Sequence, residues 1–362
     1  MNQTADRISL HQAMKIFILA AASSILRMLP SLVAGEAGRA SWVSVLIAVI
    51  PFALLLWMLG ALLRGGNNWG LADSFQSILG RPVAKIILAL TGVWIFLLIS
   101  VYARYFGERF ASTVMPDIPV PVFIAAILFL VYIVARGRLD RFARCMELLL
   151  FVFVISIVVV LVFSNSKVQA GNVWPVTVYD MPAAARGSYY FLPIWSLVTF
   201  WFFLGNRITR KNELKRRGIY VTVGLALLSL LAVLLTVGVF GYVLTGENTV
   251  PFYMYLKTVV IFGAIERIEA VFIGLWVIND FAMLGMLIFV FRNLVGSVAG
   301  TGDHPALATP VLLLAFSFSQ FLAFSQFELE QLVRMVVLPG NLVFAVGIPF
   351  AVFLTGKLRR KI

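Results

Sequence analysis

Ten apolar stretches of membrane-spanning length occupy most of the chain and restrict its fold more than any other feature. They lie at about 10–34, 42–64, 83–107, 119–136, 145–164, 188–206, 219–245, 267–294, 306–325 and 332–355. About 20 predominantly apolar residues cross a bilayer as one helix. Since connections between the stretches are short, we predict an all-α integral membrane protein with ten transmembrane helices in one multi-pass domain, 1–362.

Composition and charge agree with a chain that lies in a lipid bilayer. Of the 362 residues 61% are hydrophobic and 12% are charged, whereas soluble domains carry about 25% charged residues. A net charge of +13 would suggest nucleic acid as the partner of a soluble chain. In a membrane protein, basic residues collect in cytoplasmic loops instead. The basic segments 136–144, 207–217 and 357–361 all fall inside if both termini are cytoplasmic, so we expect that orientation and no nucleic-acid partner.

Two of the ten stretches contain small polar residues and a proline where a lipid-facing helix should be continuous. The first is interrupted over 21–30 and the sixth over 189–199. These positions are equivalent if ten spans form two sets of five. Discontinuous helices in matching halves indicate a transporter-type binding site near the bilayer midplane. A simple proline kink at Pro30 and Pro193 is the alternative, because packed membrane helices tolerate proline.

A broken helix offers groups that match both ends of a free amino acid. Its unpaired backbone N–H groups suit a carboxylate and its unpaired carbonyl groups suit an ammonium. Hydroxyl side chains near the breaks can satisfy the freed backbone groups or contact a ligand. The candidates are Ser23, Ser24, Ser196 and Thr199.

Two charged residues stand out among those inside spans, where a charge costs several kcal/mol and faces protein or water. Arg27 lies three residues before Pro30 and would pair with a carboxylate of a ligand or of the protein. A structural ion pair or snorkelling to the outer interface is the alternative. Asp280 lies in the middle of span eight and suggests a coupling-ion or proton site. A hydrogen-bonded structural acid remains the alternative.

Other charged residues are expected to be structural. Arg104 and Glu108 share a helix face at the outer end of span three and should form a pair. At the turn between spans nine and ten, we expect Glu328, Glu330 and Arg334 to be surface groups. In span eight, we expect Glu266 and Glu269 to be acids of the first helical turn.

Nothing in the sequence indicates an enzyme or a cofactor. The two histidines, His11 and His304, are far apart, and no His or Cys cluster has metal-ligand spacing. Neither a Walker nor a Rossmann glycine pattern is present. The single cysteine, Cys145, is expected to be a reduced packing residue near the inner end of span five.

Three motifs, in order along the chain, resemble the B subunit of bacterial spore germinant receptors. That subunit belongs to the endospore germination family of amino acid–polyamine–organocation transporters. The motifs are Leu29-Pro30-Ser31 followed by Ala37-Gly38-Arg39-Ala40-Ser41-Trp42, Ala135-Arg136-Gly137 followed by Ala143-Arg144 and Glu147, and Glu266-Arg267-Ile268-Glu269-Ala270 with Trp276-Val277.

The resemblance implies a leucine-transporter-like 5+5 inverted repeat with discontinuous helices 1 and 6. It also implies a receptor that senses a small nutrient germinant, often an amino acid, in the inner membrane of the spore. A larger A subunit and a lipoprotein C subunit would be the partners. The pocket would lie between spans 1, 3, 6 and 8. Its residues, together with Arg27 and Asp280, would be Ser23, Ser24, Ile25, Tyr102, Pro193, Trp195, Ser196 and Thr199.

One departure from the family pattern falls in span six. The family often has phenylalanine-proline-phenylalanine-glycine-glutamate, whereas this chain has Leu192-Pro193-Ile194-Trp195-Ser196. A tryptophan here would narrow the pocket, and the acid is lost. Two alternatives therefore stand beside the receptor: an amino acid permease, coupled to protons through Asp280, and a membrane scaffold whose pocket is degenerate, which Trp195 favours.

Overall fold

The computed structural model describes residues 6–63, 69–164, 168–259 and 269–361, and this part of the chain is mostly helical. Two short strands, β1 (Ile8–Ser9) and β2 (Ile208–Thr209), pair in parallel. The α-helices are α1 Leu10–Ala37, α2 Ser41–Leu62, α3 Leu71–Leu79, α4 Arg81–Thr113, α5 Val120–Ala135, α6 Leu139–Ser164, α7 Ala170–Val173, α8 Met181–Ser188, α9 Leu192–Trp195, α10 Val198–Trp201, α11 Leu214–Glu247, α12 Pro251–Leu256, α13 Glu269–Ala299, α14 Ala308–Phe321, α15 Gln326–Leu332, α16 Leu338–Leu342 and α17 Ile348–Leu358.

Seven of the described helical segments are long and apolar enough to cross a membrane. The first of them, Leu10–Leu62, contains both α1 and α2, and the last, Gln326–Leu358, contains α15 to α17. Two shorter apolar segments, Val120–Ala135 and Pro305–Phe321, lie between long ones. The prediction of an all-α membrane fold is confirmed. Apolar residues at 71, 75, 78 and 79 follow the spacing of one helix face and predict a short helix, which the structure contains as α3.

Span one differs from its prediction, because α1 runs without interruption from Leu10 to Ala37 and Pro30 lies inside it. The expected break over 21–30 is therefore absent. Neighbouring helices supply the physical reason. The hydroxyls of Ser23 and Ser24 bond to side chains of α13 and α4. Most of α1 is buried against protein, where a membrane helix tolerates an internal proline.

Span six is discontinuous, as predicted. Helix α8 ends at Ser188, α9 covers only Leu192–Trp195, and α10 covers Val198–Trp201 before a 3₁₀ turn over Phe202–Arg207. Pro193 lies in the first turn of α9 and has no N–H to continue the preceding helix. Backbone bonds between α9 and α10 shorten to the three-residue pattern, as in Thr199 N–H to the carbonyl of Ser196 at 2.9 Å.

Helix α1 lies at the centre of the bundle, packed against α11, α13, α6 and α8. Helix α13 in turn packs against α4, so three long helices bring their polar residues together. Large apolar side chains face outward on the peripheral helices, as expected for a lipid-facing surface. Phe129 on α5, for example, is 62% exposed.

The end of the bundle that carries the basic segments is held closed by a cluster of ion pairs. Asp303 accepts hydrogen bonds from Arg207 at 2.6 Å and from Arg292 at 2.5 and 2.9 Å. Arg207 also donates to Asp6 at 3.1 Å, and Asp6 accepts from the backbone N–H of Leu139 at 2.7 Å. These contacts join the N-terminal segment to the ends of span six, α13 and the loop after it.

Candidate ligand-binding site

Asp280 is fully buried on α13 and has both carboxylate oxygens occupied. Oδ1 accepts a hydrogen bond from Ser23 of α1, and Oδ2 forms an ion pair with Arg109 of α4. Pairing and hydrogen bonding offset the cost of burying a charge. Asp280 is therefore the acid of an ion pair that joins three helices, and a guanidinium takes the place that a coupling cation would need.

Sequence reasoning missed Arg109 as the partner of Asp280. It identified the neighbouring pair correctly, since Arg104 Nη2 lies 2.6 Å from Glu108 Oε1. One signal was present in the sequence: Tyr102, Tyr105 and Arg109 follow the spacing of a single helix face. An unpaired arginine on an aromatic face of span three was thus available for the unpaired acid of span eight.

Arg27 is buried without an acidic partner within 4 Å in the described part of the chain. Its guanidinium lies over the ring of Tyr105, 3.7 Å from the ring centroid, and 6.0 Å from that of Tyr102. Nε and Nη1 of Arg27 have no hydrogen-bond partner. Cation–π attraction holds the group, but it leaves buried N–H donors unsatisfied.

A small cavity of about 20 Å³ lies beside Arg27, and we call it the outer cavity. It is lined by Arg27, Met28, Ser31, Leu32, Tyr105, Glu108, Arg109, Thr249, Val250, Gln326, Glu330 and Arg334. A cavity needs roughly 10–15 Å³ to hold one water molecule, so this one is closed to anything larger. Glu330 is half-buried at its wall, which corrects the expectation of a surface group.

Unsatisfied polar atoms concentrate at the outer cavity. Nε and Nη1 of Arg27, Nε and Nη1 of Arg109, and the hydroxyl of Tyr105 are all buried without a partner. All three residues line the cavity. Each such atom costs about 1–3 kcal/mol when left unpaired. These N–H and O–H donors of the cavity wall are therefore available to hydrogen-bond an anionic group.

The predicted residues of span six have different partners. Thr199 Oγ1 donates to the carbonyl of Ala345 at 2.8 Å, and Ser196 Oγ donates to that of Pro193 at 3.3 Å. Ala345 lies in a π-helical turn of the last span, 343–347, where one carbonyl is readily freed from the helix. Trp195 packs edge-on against Phe52, with ring centroids 5.4 Å apart.

The ten predicted site residues therefore separate into groups. Five lie together around the Asp280–Arg109 pair and the outer cavity, with Ser24 and Tyr102 joined by a hydrogen bond of 2.9 Å. They are Ser23, Ser24, Arg27, Tyr102 and Asp280. Four belong to the packing of span six: Pro193, Trp195, Ser196 and Thr199. Ile25 is a fully buried core residue. Glu266 and Arg267, and the side chain of Glu269, lie outside the described residues.

Comparison with known proteins decides the family. The family model described as spore germination protein matches residues 7–333. The chain belongs to the spore germination protein family. It is 22% identical over 365 residues to spore germination protein KB of Bacillus subtilis (strain 168), covering 98% of this chain and 96% of that protein. It is 23% identical over 273 residues to the putative spore germination protein YfkT of the same organism, covering 75% of each.

The fold also matches a solved transporter. The crystal structure of MhsT in complex with L-phenylalanine aligns with a TM-score of 0.63 at 14% identity, covering 94% of this chain and 88% of that one. At this identity the likeness concerns the fold alone. It confirms a leucine-transporter-like membrane fold, and the family match confirms the resemblance to germinant receptor B subunits that the motifs indicated.

Proposed function

We propose that this protein is a germinant receptor subunit that senses a free amino acid at the outer cavity, beside spans 1, 3 and 8, and that the cavity widens from its present volume of about 20 Å³ to admit it. The unpaired, buried guanidinium of Arg27 carries the proposal, because it needs an anion and borders a cavity. A ligand carboxylate would satisfy its free N–H donors with charge-assisted hydrogen bonds. The acids of the same wall, Glu108 and Glu330, offer oxygens to an ammonium.

Two features favour sensing over proton-coupled transport. Asp280 is already paired with Arg109 and Ser23, so it has no vacant oxygen for a coupling cation. The cluster of Arg207, Arg292 and Asp303 closes the opposite end of the bundle. An amino acid permease remains the second candidate, and the fold shared with MhsT favours it. The scaffold alternative loses support, because Trp195 packs on Phe52 and does not line the outer cavity.

The cellular setting is part of the same proposal. The family and the relatives named for spore germination support a place in the spore inner membrane. The distribution of basic residues supports cytoplasmic termini. Receptor A and C subunits would be the partners in that membrane.

A thermal-shift screen of the purified protein tests the ligand class. A ligand that binds only the native state stabilises it by about 2.7 kcal/mol at 100 times its dissociation constant. We expect one or more amino acids to raise the melting temperature, and their decarboxylated amines to have no effect. Arg27→Gln should abolish the shift, whereas Arg186→Gln should preserve it, since Arg186 is exposed and pairs with Glu36.

Uptake separates the two candidate functions. In proteoliposomes, a sensor should bind radiolabelled amino acid in proportion to protein without accumulating it inside. Saturable accumulation that follows a proton gradient would establish the permease instead. An undiminished shift in the Arg27→Gln protein would show that the carboxylate binds elsewhere.

A further inference from the structure

A second, larger cavity lies between α5 and α14 on the lipid-facing side of the bundle. Its volume is about 380 Å³, within the range of small-molecule pockets. Its walls are two facing stripes of side chains, at 125, 128, 129 and 132 on α5 and at 309, 312, 313 and 316 on α14. Each stripe follows the spacing of one helix face. At 1.5 Å per residue each is about 10 Å long, so we call this cavity the α5–α14 groove.

The groove is apolar along its length and polar at one end. Tyr132, the last lining residue on α5, accepts a hydrogen bond from Arg136 Nη1 at 3.0 Å. The guanidinium of Arg136 also lies over the Tyr132 ring, 5.6 Å from its centroid. Arg136 is exposed, and in the described residues no Asp or Glu forms an ion pair with it. A free cation therefore marks this end of the groove.

The opposite wall adds to the positive potential at the same end. Thr309 lies in the first turn of α14, a helix of 14 residues with no acidic residue in that turn. The N-terminus of a helix carries a partial positive charge. Arg136 and the start of α14 thus flank the mouth of an apolar groove, a combination that suits a negatively charged headgroup attached to a hydrocarbon chain.

We propose that the α5–α14 groove binds an anionic phospholipid, with one acyl chain between the two stripes and the headgroup phosphate on Arg136. Basic pockets between transmembrane helices on the cytoplasmic side bind such headgroups. A helix from another protein fits less well. A helix segment about 10 Å across and 10 Å long occupies roughly twice the groove volume. The headgroup site also lies next to the ion-pair cluster at the closed end of the bundle. Arg292 of that cluster donates to the carbonyl of Ala135, the residue before Arg136.

Native mass spectrometry of the purified protein, titrated with phosphatidylglycerol and phosphatidylcholine of identical acyl chains, tests the proposal. We expect phosphatidylglycerol to bind more tightly. Arg136→Gln should lower that preference by about fivefold, the contribution of one basic residue near an anionic headgroup. Arg141→Gln is the matched control, since Arg141 is exposed on the same inner segment but does not line the groove.

The acyl chain is tested separately with two exposed neighbours on α5. Ala125→Phe places a ring in the groove and should reduce retention of both lipids, whereas Ala126→Phe lies off the stripe and should not. Circular dichroism and gel filtration confirm that each variant folds. Equal affinity for the two lipids in the unmodified protein, or an unchanged preference in Arg136→Gln, would overturn the headgroup assignment. Equal retention by Ala125→Phe and Ala126→Phe would overturn the groove assignment, as would displacement of bound lipid by co-expressed receptor subunits.

Discussion

Spans one and six carry similar ingredients, a proline and adjacent hydroxyl residues, yet α1 is continuous while span six is divided into α8, α9 and α10. The hydroxyls of Ser23 and Ser24 reach across to other helices. That of Ser196 bonds within its own segment, to the carbonyl of Pro193. The two spans therefore differ in where these serines find their partners: those of α1 bond to other helices, whereas Ser196 bonds within the broken segment.

This difference also separates two kinds of chemistry. The continuous helix presents charged and polar side chains to α4 and α13, and the outer cavity lies beside them. The broken segment instead contributes a hydroxyl to the last span, where Thr199 donates to the carbonyl of Ala345. In this conformation the site around α1 depends on side chains, and span six contributes packing.

The largest expected effect concerns the Asp280–Arg109 pair that fixes α1 between its neighbours. Asp280→Ala leaves the buried guanidinium of Arg109 unpaired and should destabilise the protein by about 3–5 kcal/mol. Thermal unfolding in detergent measures the change. The double variant Asp280→Leu with Arg109→Leu should recover much of the loss, because it removes both charges. Equal destabilisation in the single and double variants would show that the pair does not act as a unit.

Alanine at the two prolines should change stability in opposite directions. Proline inside a helix costs about 3 kcal/mol, and Pro30 lies inside continuous α1, so Pro30→Ala should raise the unfolding temperature. Pro193 lies in the first turn of α9, where its fixed φ suits the chain. Pro193→Ala should therefore lower stability by about 0.4–1 kcal/mol. Changes of the same sign would contradict the contrast between the two spans.

The smallest expected effects concern single hydrogen bonds in each region. Thr199→Val keeps the side-chain shape and removes the bond to Ala345, and Tyr102→Phe removes the bond to Ser24. Each should cost about 1 kcal/mol of stability. The ligand-induced shift distinguishes them: we expect Tyr102→Phe to weaken it and Thr199→Val to leave it unchanged. A smaller ligand-induced thermal shift in Thr199→Val would show that span six contributes to ligand binding.

Sequence patterns were sufficient for features that depend on neighbours along the chain. The Arg104–Glu108 pair follows from a spacing of four residues. The periodic apolar residues of α3 predicted a short helix that the structure contains. Each of these needs only local geometry, which the order of residues specifies directly.

The sequence by itself determined the membrane class, the family and the local character of each span, because hydropathy and short motifs are properties of contiguous residues. Only the tertiary structure decided which charges meet. Arg109 and Asp280 are separated by 171 positions. Whether Asp280 meets Arg109 or Arg27 depends on how α1, α4 and α13 rotate against one another. The same packing surrounds α1 with protein over most of its length, where a membrane helix tolerates an internal proline.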